Sequence, residues 1–187
     1  MSTFNQQDSL LEEFYGELVQ RYKGEEKVFI FLRDLSKLKE KRIRTEYFLD
    51  YLSRTHSLLF HGSIFLIEGM LKSRDGLIYA SNKAAIAIMR SLYSNIGAKL
   101  RYPYFIDENS PPELEIIIPK GKTYEVKERG FVYVLKNDGF ENTPKGSWQF
   151  IKETDSLDYL FAIETEKADF SYPVGVIISE QIKTLRA

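Results

Sequence analysis

Two short stretches carry the residue types best suited to chemistry: "LFHGS", residues 59–63, and "LIYAS", residues 77–81. Each is a short apolar run that ends in small or polar residues. His61 is one of only two histidines in the chain. At a strand end it has two readings. A plain one is a side chain hydrogen-bonded to a neighbouring loop. A functional one is a ring held in a set tautomer that donates to a ligand. Gly62 then admits either an unusual dihedral or a close approach of backbone to that ligand. Tyr79 is a core aromatic with a solvated hydroxyl, or a platform on which a planar ring stacks. "NKAAIAIMRSLYSN" follows at once and is the clearest helix in the sequence, with Asn82 placed to cap it. Unpaired backbone donors at that helix start favour negative charge. Two strand ends and a helix start together outline a pocket for an anionic ligand.

"LFHGS", a spacer, "LIYAS" and "NKAAIAIM" resemble the opening of the ADP-ribosyltransferase fold. The resemblance covers about residues 57 to 94. It implies the histidine-tyrosine-glutamate branch of that superfamily, in which the histidine bonds the adenosine-side ribose of NAD and the tyrosine stacks near nicotinamide. His61, Gly62, Ser63, Tyr79 and Ser81 would then be the cofactor-binding residues, with NAD as the cofactor and no metal. The superfamily's third signature is a glutamate on a later strand. "AIETEKADF" resembles the Glu-x-Glu arrangement of its arginine-modifying members. Glu166 becomes the catalytic candidate and Glu164 the acceptor-positioning one, with Glu141 and Glu153 as rivals. The implied function is binding of NAD or ADP-ribose, with transfer of ADP-ribose to an unknown acceptor. The alternative is a catalytically inactive nucleotide-binding or protein-interaction module. For the latter, Tyr102, Tyr104, Tyr133 and Trp148 offer an aromatic face.

The elements that must position these residues follow from periodicity. Residues 1–56 read as a helical N-terminal segment. Leu11, Phe14, Tyr15, Leu18, Val19 and Tyr22 fall at helical spacing, with Asp8 or Ser9 as cap and Gly24 as stop. "TEYFLDYLSR" places Phe48, Leu49 and Leu52 on one face behind Thr45 as cap. "VFIFLRDLSKLKEK" starts as strand or helix and ends as helix. By the resemblance, residues 57–187 would form the ADP-ribosyltransferase-like domain, and the whole chain is also consistent with one compact domain. Within it, Asp75-Gly76 marks a tight turn. Candidate strands lie in "AKLRYPYFI", "ELEIIIP", "TYEVKE", "GFVYVLK", "SWQFIKE", "DYLFAIET" and "YPVGVIIS", the last followed by a short helical end. Helices gathered ahead of a mixed, largely antiparallel set of strands indicate an α+β fold rather than a doubly wound one.

Composition sets outer bounds. Twelve Tyr, thirteen Phe and one Trp in 187 residues argue for a packed core. A net charge of -1 offers no global attraction to nucleic acid or to an anionic membrane. The basic stretch "SKLKEKRIR" reads as a solvated helix face, because residues 1–56 hold ten basic and ten acidic side chains. The chain has no cysteine, which excludes disulfides, thiolate catalysis and sulfur-ligated metals. Two isolated histidines do not make a His-rich zinc site, although carboxylates remain available to Mg²⁺ or Ca²⁺. No P-loop, Rossmann glycine fingerprint, HExxH or GxSxG occurs. The start lacks a basic-then-apolar leader, and no apolar run is long enough to span a bilayer. The expectation is a cytoplasmic protein with no membrane insertion, whose N-terminal helices are available to a protein partner.

Overall fold

The computed structural model describes residues 3–94, 98–105 and 113–179. The chain folds as α+β, with helices on one side of a large mixed sheet. Helix α1 (Thr3–Arg21) leads to strand β1 (Phe29–Ile30), then α2 (Ser36–Glu40) and α3 (Thr45–His56). The site-bearing unit follows: β2 (Leu58–Ser63), β3 (Leu71–Lys72), β4 (Leu77–Ser81) and α4 (Ala84–Tyr93). The remaining strands are β5 (Lys99–Arg101), β6 (Leu114–Pro119), β7 (Arg129–Lys136), β8 (Glu141–Asn142), β9 (Gln149–Glu153), β10 (Ser156–Leu157), β11 (Phe161–Glu166) and β12 (Val174–Ser179).

Seven of these strands form one sheet in the order β1-β11-β7-β2-β4-β9-β8. Only the β1–β11 pair is parallel; the others are antiparallel. A second sheet, β12-β6-β5, and a ribbon, β10-β3, complete the strands. The central strand β7 shows why the sheet is covered on both faces. Its run "FVYVL" is apolar without alternation, as a doubly buried strand requires. Val132 and Val134 enter the core beneath the helices, while Tyr133 and Leu135 enter a second cluster on the opposite face with Leu59, Ile78, Ala80 and Ala162.

Helices α1 to α3 share one core with the rest of the described residues. Leu11, Phe14, Leu18, Phe48, Leu49 and Leu52 pack in one cluster with Ile86, Ile88 and Met89 of α4 and with Val132 and Val134. Strand β1 extends the sheet itself. The shared apolar face of "TEYFLDYLSR" is therefore a core face: Phe48, Leu49 and Leu52 are fully buried. The basic stretch is engaged by acids, with Lys37 paired to Glu17 at 2.6 Å and Lys39 to Glu166 at 2.5 Å.

Several local expectations give way to tertiary partners. Helix α1 starts at Thr3, so Asp8 and Ser9 lie inside it; Asp8 bonds Arg54 at 2.7 Å instead of capping. Gly24, φ 89°, sits in the turn beyond the helix end at Arg21. Thr45 is the first residue of α3, not its cap, and its hydroxyl donates to Asp169 at 2.8 Å. "TYEVKE" forms no strand; Tyr124 instead sends its hydroxyl to the Tyr93 carbonyl at the end of α4. The helical end expected after β12 lies outside the described residues.

The start of α4 matters most for the site. Asn82 does not cap it. The Ala84 N–H donates to the Asp50 carboxylate of α3 at 3.0 Å. A protein carboxylate thus already takes one of the backbone donors expected to be open to a ligand anion. Burial pushes the Asp50 carboxyl up, against the Ala84 N–H and nearby cations, which lower it. The folded chain therefore holds this proton more tightly than the unfolded chain, and its contribution declines as pH rises through the raised value. Asp50→Ala is expected to cost about 1 kcal/mol by denaturant titration at neutral pH. Asp50→Asn keeps the acceptor without the charge. It should be at least as stable as the wild type at neutral pH, with the difference closing as pH falls toward the ordinary value of 3.8. A neutral Asp50→Ala result would show that α4 needs no cap.

Among the described residues, no helix is long and apolar enough to cross a membrane. No group of three or more His, Asp or Glu among them is placed to hold a metal ion.

Candidate functional site

The site is a seam in the large sheet. β2 pairs with β7 along its full length, and β4 pairs with β9 along its full length. Between β2 and β4 the ladder holds at a single pair, Phe60 with Ser81. Beyond that pair the two strands part, and a cavity of about 570 Å³ opens along the gap. That is ample for a nucleotide-sized ligand. Ile86, Ala87 and Arg90 of α4 line one wall of it. The hairpin that leads into β4 is set by the Asp75-Gly76 turn. Both residues have positive φ, 56° and 78°, and Arg74 and Leu77 exchange backbone bonds of 3.1 Å across it. This is the two-residue turn that an Asp-Gly pair favours.

His61 spans the seam. Its Nδ1 lies 2.8 Å from the Tyr79 carbonyl. A carbonyl only accepts, so Nδ1 carries the proton and donates, and Nε2 of the neutral ring is an acceptor. The side chain thus supplies a cross-strand bond where the backbone ladder has ended. The ring lies beside Tyr133, the residue paired with it on β7, at 6.4 Å between centroids. Burial lowers the His61 pKa, and the Arg90 charge adds to that, against the Tyr79 carbonyl. The imidazole is therefore neutral at pH 7. On the cavity wall, the remaining ring nitrogen, Nε2, is thus an acceptor rather than a donor.

Gly62 lines the cavity, but its want of a side chain has another cause. A Cβ there would lie 2.0 Å from the Ala87 carbonyl oxygen and 2.7 Å from the Arg90 Cβ. Its φ is not in the left-handed region. Gly62 is the place where α4 sits down on the sheet. Gly130 of β7 does the same beside Ser91, whose carbonyl oxygen would be 1.9 Å from a Cβ.

Tyr79 lines the same cavity and is 44% exposed. Alternation along β4 sends Ile78 and Ala80 to the Tyr133 side and Tyr79 and Ser81 to the α4 side. His61 and Tyr79 therefore reach one cavity from opposite faces of the sheet, which only a parted seam allows. Ser81 lines the cavity too, yet its hydroxyl is spent locally: it accepts from the Lys83 N–H at 2.9 Å and bonds the Lys83 carbonyl at 3.1 Å. Ser63 is not on the cavity wall; its Oγ accepts from the Phe65 N–H at 3.1 Å.

Glu164 and Glu166 do not join this group. They lie on β11, beyond β7 from β2. At about 4.8 Å between strands, β11 is about 10 Å from β2 and about 15 Å from β4. Glu164 is buried, accepting from Arg129 at 3.0 Å and from the Leu32 N–H at 3.1 Å. It ties β1 and β7 to β11. Glu166 pairs with Lys39 and starts a short 3₁₀ turn, Lys167–Asp169, through a reciprocal capping box with Asp169. Glu141 and Glu153 are not on the cavity wall either. Among the described residues that line it, the sole carboxylate is Asp75, with its side chain 92% exposed beside Arg74.

The cavity instead gathers residues with no site signature in the sequence. Gln149 faces it from β9, where it is paired with Ser81. Tyr102, Tyr104 and Trp148, read above as an aromatic protein-binding face, line it as well. Tyr133 does not; it is fully buried. Arg90 lies over the Tyr102 ring at 4.9 Å and donates to its hydroxyl. The one local hint is the turn-rich run before Trp148 and Gln149, which marks a strand start but not the strand's neighbour.

Fold and cavity together define an α+β protein with a ligand-sized cleft at a parted sheet seam. No protein-family model, curated protein or solved structure matches the chain.

Proposed function

We propose that the seam cavity binds a nucleotide of the NAD or ADP-ribose kind, and that the protein acts by binding rather than by transferring ADP-ribose. One observation carries the reading: His61 donates to the Tyr79 carbonyl within the cavity, so its Nε2 is set to accept from a sugar hydroxyl. The wall around it suits the rest of such a ligand. Tyr79 offers an exposed ring for a planar group. Lys72, Arg74 and Arg90 outnumber Asp75, which favours phosphate. This agrees with what the resemblance to ADP-ribosyltransferases implies for His61 and Tyr79.

Transfer demands more. Departure of nicotinamide leaves positive charge on the ribose, and a carboxylate beside it is the usual stabiliser. Asp75 sits at the solvent rim, and Gln149, which carries no charge, occupies the strand next to Tyr79. The inactive, nucleotide-binding alternative therefore takes precedence over the transferase.

Thermal denaturation tests this directly. NAD or ADP-ribose at about a hundred times its Kd should add about 2.7 kcal/mol to stability. For a chain of this size that raises Tm by about 5–10 °C. AMP serves as the smaller control. His61→Ala should largely abolish the rise. No shift with either ligand at millimolar concentration rejects the nucleotide reading. Nicotinamide release from NAD by the wild type, lost in Glu166→Gln, would restore the transferase reading instead.

A further inference from the structure

The two ends of the cavity differ in chemistry, and β4 separates them. At the Leu77 end lie Lys72 of β3 and Arg74 of the hairpin turn, both on the cavity wall. Asp75, 4.0 Å from Arg74, offsets one of these charges and leaves the wall itself one net positive charge at this end, with Glu153, opposite Leu77 on β9, lying off the wall. At the Ser81 end lie Trp148 and Tyr104. Their rings are parallel within 8°, with centroids 5.6 Å apart. Backbone and indole bonds hold the pair: the Trp148 N–H donates to the Tyr104 carbonyl at 3.1 Å, and the indole N–H donates to the Pro103 carbonyl at 2.5 Å. The Trp148 carbonyl in turn accepts from the Asn82 N–H at 3.3 Å, which fixes the pair to the end of β4. Trp148 is buried and covers one face of Tyr104, yet Tyr104 remains 51% exposed. Tyr104 is also on the cavity wall, so its exposed part offers a pre-set stacking surface. Four steps of strand at about 3.3 Å place the two ends about 13 Å apart. His61 and Tyr79 stand between them.

We infer that the cavity holds its ligand along β4 with one polarity: a planar nucleobase stacked on Tyr104, the sugar at His61, and a diphosphate at Lys72 and Arg74. The inference rests on the nucleotide reading above and adds to it which end of the ligand goes where. Stacking suits any base, because each has a π-face, whereas the cationic end recognises charge alone.

Trp148 is the only tryptophan in the chain, so its emission reports the aromatic end alone. The probes are ADP-ribose, ADP, adenosine and inorganic pyrophosphate. ADP should quench Trp148 emission on binding. Pyrophosphate should raise Tm with no change in emission. Tyr104→Ala should weaken ADP by about tenfold, the effect of losing one base–aromatic stack. It should leave pyrophosphate unchanged, and Tyr104→Phe should restore ADP. The Lys72→Ala/Arg74→Ala double variant should weaken ADP and pyrophosphate together and leave adenosine unchanged. Both substituted ends are exposed, and an unchanged denaturation midpoint without ligand verifies folding. ADP bound without an emission change overturns the polarity. So does a Tyr104→Ala variant that loses ADP and pyrophosphate equally, or loses neither, and in those cases the nucleotide reading stands. Failure of all four probes to bind removes the nucleotide reading and the polarity with it.

Discussion

Gly62→Ala is expected to destabilise the protein by about 3 kcal/mol, the upper end of the usual cost of overpacking. The added methyl would overlap the Ala87 carbonyl oxygen, at 2.0 Å, and press on the Arg90 Cβ, at 2.7 Å. The first of these is backbone inside a helix and cannot swing aside. The helix itself cannot lift easily. Ala84, Ile86, Ala87, Ile88, Met89 and Leu92 of α4 are all buried, and its start is tied to Asp50. Relief must therefore come from a shift of the whole helix against the sheet. That shift would move Ala87 and Arg90, two residues of the cavity wall, so nucleotide affinity should fall along with stability. Urea denaturation gives the first quantity and ligand titration the second. Gly69→Ala is the control: nothing lies within 4 Å of its Cβ position, and a surface change of that kind costs about 0.5 kcal/mol or less. A Gly62 variant no worse than the control would mean that α4 does not hold the contact described.

Tyr133→Phe comes next in size, at about 2 kcal/mol. The Tyr133 ring is fully buried between His61 and Tyr159, at 6.4 and 4.8 Å between centroids. Phenylalanine keeps that packing and removes only the hydroxyl. The hydroxyl accepts from the Ile67 N–H at 2.6 Å and donates to the Phe65 carbonyl at 2.9 Å. Tyr159 holds the other side of the same peptide segment by donating to the Ile67 carbonyl at 2.7 Å. Burial pushes the Tyr133 pKa up to about 12, so the group is a neutral donor and acceptor at working pH. Its loss leaves two backbone groups of the loop after β2 without that partner. Hydrogen exchange at the Ile67 amide should accelerate well beyond the change in global stability. An unchanged rate at that amide would show that Tyr159 alone suffices to hold the loop.

Much of the fold could be read from local pattern. The clustered alanines and isoleucines of α4, the shared face of Phe48, Leu49 and Leu52, and the unbroken apolar run of β7 each follow from a period of 3.6, or from burial on both faces. The Asp75-Gly76 turn followed from the backbone freedom of those two residues. His61, Gly62 and Tyr79 could be picked out because they lie in short apolar strands that are adjacent in sequence and meet in one cavity, although the strands run on past them, to Ser63 and Ser81, so that His61 is not at a strand end. Helix ends were less legible. The chain held several residues able to cap, and distant ones took the role or the side chain: Asp50 for α4, Asp169 for Thr45, Arg54 for Asp8.

Strand order was beyond local reading altogether. Glu164 and Glu166 share a strand with the apolar spacing of a core element, but nothing in that spacing says which strands flank it. The order β1-β11-β7-β2-β4-β9-β8 sets β11 apart from the seam and brings β9 beside β4, with Gln149 opposite Ser81. Periodicity and turn chemistry act over a few residues and are written in adjacent positions. Neighbouring strands are chosen by the burial of whole faces, such as Val132 and Val134 under the helices against Tyr133 and Leu135 opposite. That choice depends on residues a hundred positions apart, and it is what lines the cavity around His61 with Gln149 and aromatic rings in place of the expected glutamates.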